Sequence, residues 1–96
     1  MSESGSARLY TVKIEKGVLK ALNRLPRQIN DRLIVAMREL AHTPRPRGCV
    51  KLEGSDSDYR VRVGDYRILY TVYDERLIVL VVDVGPRKDI YRRRRS

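Results

Sequence analysis

Arginines recur in the second half of this chain at a spacing suited to holding phosphate. Arg60 and Arg62 alternate with Val61 and Val63, and Arg67 comes two residues after the dipeptide Gly64-Asp65. A Gly-Asp pair between two alternating apolar runs reads as a two-residue hairpin turn, since glycine accepts the positive φ that such turns need. That turn pairs Val63 with Tyr66, Arg62 with Arg67, Val61 with Ile68 and Tyr59 with Tyr70. Directly paired residues share a face. One face therefore carries Tyr59, Val61, Val63, Tyr66, Ile68 and Tyr70 and is expected to be core. The other displays Arg60, Arg62 and Arg67. Opposed like charges cost roughly 0.2–1 kcal/mol across an exposed strand pair, a cost that disappears if a polyanion bridges them. Arginine suits that task because its planar fork gives two parallel hydrogen bonds to phosphate oxygens. Arg87, leaving the last apolar strand, joins the same set. The plain alternative is a solvated face of splayed basic side chains.

Other chemistry-bearing residues are sparser. Tyr91 follows Arg87 by four residues and suits base stacking or a hydroxyl bond to phosphate, or else packing at the core rim. Arg92, Arg93, Arg94 and Arg95 would strengthen phosphate attraction in a salt-dependent way, or form a solvated tail. His42, the only histidine, falls at a predicted helix C-terminus, where positive charge is favourable in any protein. Cys49 has no Cys or His at metal-ligand spacing, and Asp56 with Asp58 lacks a third ligand. No phosphate-cradling glycine loop or serine triad is present, so neither metal nor cofactor is expected.

The elements that would position these residues follow from periodicity. Residues 9–14 alternate, with Tyr10, Val12 and Ile14 on one side, as a strand. Val18, Leu19, Leu22 and Leu25 then recur at helical spacing until Leu25-Pro26 ends the run. A second helix over residues 27–42 places Ile29, Leu33, Ala36, Met37 and Leu40 on one stripe. The sequence TPRPRG at 43–48 is a loop. Strands follow at 59–63, 66–73 and 77–84. Keeping the core on one side suggests pairing Val72 with Ile78, Tyr70 with Leu80 and Ile68 with Val82. Asp83 then stands beside Arg67, since a one-residue slip would bury its charge. The expected architecture is α+β, a small antiparallel sheet packed against an N-terminal two-helix hairpin.

Composition agrees. At 96 residues with a net charge of +9, the chain is one small domain favouring polyanionic partners. Residues 1–6 read as a disordered tail, 7–91 as the domain and 92–96 as a basic tail. The longest apolar run, residues 77–82, is far below the ~20 residues of a spanning helix, so no membrane partner is expected. A single cysteine and a polar start without a secretory pattern point to the cytoplasm.

The order of elements and the run DYRVRVGDYRILYTVYDERLIVLVVDVGPRKDIY resemble the RelE branch of the RelE/ParE superfamily, the toxin halves of bacterial type II toxin–antitoxin pairs. The resemblance rests on the Gly-Asp-Tyr-Arg turn ending at Arg67, the valine-rich strand closing in Val84-Gly85-Pro86-Arg87, and the later Tyr91, and spans residues 9–91. It implies a ribosome-dependent endoribonuclease that cuts messenger RNA by attack of a ribose 2′-hydroxyl on the adjacent phosphate. It also implies a RelB-like antitoxin, with operator DNA reached only through that complex. By the resemblance, Arg67 steadies the scissile phosphate, Arg87 serves as general acid and Tyr91 stacks on or orients the substrate. Arg60 and Arg62 stand where the best-studied branch has lysines. Arginine is always charged, so these two stabilise a phosphorane but make poor general bases. A ParE-like gyrase poison and a non-catalytic RNA-binding module are the competing readings.

Overall fold

The computed structural model describes residues 9–86, in the order β1 (Thr11–Ile14), α1 (Lys16–Asn23), α2 (Arg27–Glu39), β2 (Val50–Lys51), β3 (Asp58–Val63), β4 (Tyr66–Tyr73) and β5 (Ile78–Pro86). Both expected helices form. Val18 and Leu22 of α1 and Leu33 and Met37 of α2 are buried, and α1 lies over β5 while α2 lies over β3. The second helix is shorter than expected. After Glu39 the chain tightens, with amides of Leu40, Ala41 and His42 donating to carbonyls three residues back. That last turn satisfies terminal carbonyls and still buries Leu40.

Five strands form one sheet in the order β1-β5-β4-β3-β2. The sheet is mixed rather than wholly antiparallel. β1 runs parallel to β5, with Val12 beside Val79 and Ile14 beside Val81. The reason is geometric: the three later strands form a meander, and the outer edge of β5 is where the apolar side of β1 can join the core. The short β2 was not visible in the sequence, since two residues carry no alternation.

The β3–β4 hairpin has the register expected from its turn, including Arg62 against Arg67, and Gly64 adopts φ +61°. The β4–β5 hairpin does not. Its pairing is shifted by one residue from that expected, with Leu77 at φ +54° in the connection, so Tyr73 pairs with Ile78, Val72 with Val79 and Tyr70 with Val81. Continued unbroken, that register would turn Asp83 into the core. Instead an irregularity between Leu69 and Tyr70 leaves Val82 as an extra residue, and Asp83 then pairs with Leu69 and Val84 with Ile68. The charge is kept out of the core by a bulge, and the interior is filled by Val79, Val81 and Val84. Asp83 thus sits two pairs along from Arg67, on the same face, rather than beside it, and Arg67 faces Gly85.

Candidate nucleic-acid interface

The outward face of β3 and β4 carries the three expected arginines, but not equally displayed. Arg62 is exposed and Arg60 half-buried, whereas Arg67 is only 4% exposed and its face neighbour Leu69 2%. The expectation of three displayed side chains is therefore corrected. Arg67 lies at the floor, because the middle of a sheet is shielded more than its edge. Arg60, Arg67 and Asp83 are each engaged by neighbouring groups. Asp83 also accepts a 2.9 Å hydrogen bond from the Val84 amide.

β2 covers only Tyr59 and Arg60 of the sheet edge. Where it stops, a cleft of about 270 Å³ opens, lined by Arg47, Gly48, Val50, Arg60, Val61, Arg62 and Arg67. Four guanidinium side chains from three separate segments therefore border one cleft. A guanidinium is a weakly hydrated fork donor, so this arrangement can hold the oxygens of a phosphodiester and stabilise added negative charge on phosphorus. Among the described residues that line it, no side chain is a ready proton acceptor.

Arg47 was not found by sequence reasoning, and neither was the device that places its loop. Arg45 forms a bidentate ion pair with Asp74 at 2.6 and 3.1 Å, donates from Nε to the Tyr59 hydroxyl at 2.9 Å, and lies 5.1 Å over the Tyr59 ring. The Tyr10 hydroxyl donates to Asp74 at 2.6 Å. The Tyr70 hydroxyl donates to the Pro44 carbonyl at 2.8 Å, and its ring stacks on Tyr59 at 5.9 Å between centroids. These donors hold the Asp74 carboxyl below its ordinary range, Arg45 contributing more than Tyr10. The same bond to Asp74 pushes the Tyr10 phenol up, and burial pushes the Tyr70 phenol up. The only local signal was two arginines alternating with prolines in TPRPRG.

No group of three or more His, Cys, Asp or Glu stands together among the described residues. Asp58 accepts a hydrogen bond from Thr71, and Asp56 faces Lys51. No described helix is long and apolar enough to cross a membrane. Arg87, Tyr91 and the two tails at 1–6 and 92–96 lie outside the described residues.

A mixed five-stranded sheet backed by a helical hairpin matches the fold of small toxins solved with their antitoxins. The archaeal RelE–RelB complex from Pyrococcus horikoshii matches with a TM-score of 0.75 at 37% identity, covering 82% of this chain and 96% of that chain. The family model for the ParE toxin of type II toxin–antitoxin systems, parDE, matches residues 10–91. The chain belongs to this family, the RelE/ParE superfamily of type II toxins, and within it to the RelE type. Toxin RelG of Mycobacterium tuberculosis is 32% identical over 85 residues, 88% of this chain and 98% of the relative. The mRNA interferase toxin RelE of Escherichia coli is 28% identical over 81 residues, 82% of this chain and 84% of that one.

Proposed function

We propose that this toxin is an endoribonuclease that cuts messenger RNA on the ribosome and is silenced by a RelB-type antitoxin. The observation that carries the reading is the four-arginine cleft, in a chain similar to a toxin named an mRNA interferase. In the reaction, the 2′-oxygen bonds to the adjacent phosphorus and the bond to the next nucleotide's 5′-oxygen breaks. The products are a 2′,3′-cyclic phosphate and a 5′-hydroxyl. The 2′-proton passes to a base and a second proton goes to the leaving oxygen. Arg62 and Arg67, opposed across one strand pair, hold the phosphoryl oxygens as charge builds. Arg60 adds field at the same edge. Arg87 is assigned as the acid and Tyr91 as the residue that stacks on or orients the substrate, both by resemblance. Since Arg60 and Arg62 stay charged and make poor bases, placement of the RNA by the ribosome carries a large share of the rate. The reading places the toxin in the cytoplasm with its substrate, and brings operator DNA within reach only through the antitoxin.

Expression without an antitoxin is expected to arrest growth and leave messenger RNA cut within codons on translating ribosomes. Primer extension on RNA from arrested cells checks this. Intact transcripts with broken chromosomes would instead assign the gyrase-poisoning activity of the ParE branch.

A further inference from the structure

The loop that carries Arg47 is tethered on both sides of that residue. The Pro44 carbonyl is held by Tyr70, and Arg45 by Asp74 and Tyr59. The Cys49 amide donates to the Pro46 carbonyl at 3.0 Å, and Gly48 takes φ +90°. That is the bond and backbone of a type II turn, with Arg47 at its first corner and glycine where positive φ is required. Val50 then pairs with Arg60. Every neighbour of Arg47 in this stretch is fixed, yet Arg47 is exposed and makes no side-chain hydrogen bond or ion pair with any described residue. Its loop delivers it to a cleft already bordered by Arg60, Arg62 and Arg67. A tethered loop that adds a like charge there is unfavourable for folding and favourable only toward an anion.

We infer that Arg47 is a phosphate-binding residue for the RNA strand, and that the Arg45–Asp74 pair is the positioning device that presents it. The inference rests on the reading of the cleft as an RNA site. Arg47 also borders the groove between α2 and the open edge of β3, lined by Ala36, Leu40, Val61 and Val63. It therefore marks the rim where a strand leaving the cleft passes over the sheet edge. The phosphate it meets is a neighbour of the scissile one, reached by a preorganised donor that loses little freedom on binding.

The test measures binding of a short fluorescein-labelled single-stranded RNA across potassium chloride concentrations, alongside cleavage on translating ribosomes. Arg47→Ala is expected to raise the half-saturating RNA concentration about tenfold, as loss of one charge-assisted contact should. It should also flatten the salt dependence of log affinity by about 0.7, the value for one phosphate on a single strand. Arg47→Lys should restore the salt slope. Asp74→Asn should weaken binding when Arg47 is present and add nothing to Arg47→Ala, a non-additivity that general loosening of the fold would not give. Wild-type affinity and slope in Arg47→Ala would overturn the inference, as would equal effects of Asp74→Asn with and without Arg47. Cleavage by the wild type with an unaltered Arg47→Ala keeps the enzyme and removes this assignment. Arg47-dependent RNA binding without cleavage does the reverse, absence of RNA binding by a wild type that still cleaves on ribosomes removes this assignment alone, and absence of both removes both.

Discussion

Arg62 and Arg67 face each other across one strand pair, yet they differ in what removing them should do. Arg62 is exposed on β3 beyond the reach of β2, and its truncation relieves like-charge repulsion without opening the core. Arg62→Ala is expected to raise stability by about 0.5 kcal/mol while lowering cleavage. Urea unfolding paired with a ribosome cleavage assay checks both signs. Arg67 is 4% exposed beside Leu69. Arg67→Ala should abolish cleavage and also destabilise the fold by about 1–3 kcal/mol, because it removes packing and partner bonds at the sheet centre. The informative variant there is Arg67→Lys, which keeps charge and most volume but loses the fork. Its stability should stay near wild type while cleavage falls about a hundredfold.

At the scale of elements, the loop before β2 and the loop between β4 and β5 are bound together by Arg45 and Asp74, 29 residues apart. The Asp74 carboxyl is depressed in the folded state. Its contribution is thus fully present above the ordinary carboxylate range and fades as pH falls through the folded value. Asp74 is more than half exposed, so solvent screening limits the contribution to about 1 kcal/mol or less. Asp74→Asn should remove that part of the acid sensitivity in urea unfolding below about pH 4. Tyr70 works in the opposite direction. Burial raises its phenol, so its contribution is complete below about pH 10 and is lost as pH rises toward the folded value. Tyr70→Phe should cost about 1 kcal/mol at neutral pH through the lost bond to Pro44, and should flatten the alkaline decline.

For the whole molecule, a net charge of +9 and a basic cleft at an uncovered sheet edge make an antitoxin of opposite charge the natural partner. A folded-state partner stabilises by mass action. Adding a RelB-type antitoxin should raise the unfolding temperature in a concentration-dependent way and suppress cleavage in parallel. Association should slow as salt rises, which stopped-flow mixing would measure.

Local chemistry by itself determined a good part of this protein. The helical spacing of Val18, Leu22, Leu33 and Met37, and the alternation of Tyr59 to Val63, specify elements because each period buries one face. The two-residue Gly64-Asp65 turn settled Arg62 against Arg67, since a tight turn leaves its hairpin no freedom of register. The longer loop at 74–77 did leave freedom, and Leu77's positive φ and the extra Val82 decided the pairing. The parallel edge strand, the burial of Arg67, the Arg45–Asp74 clamp and the approach of Arg47 to the cleft depend on residues far apart in the chain. Such contacts leave no periodic trace in sequence, because their energies come from the packing that brings distant segments together.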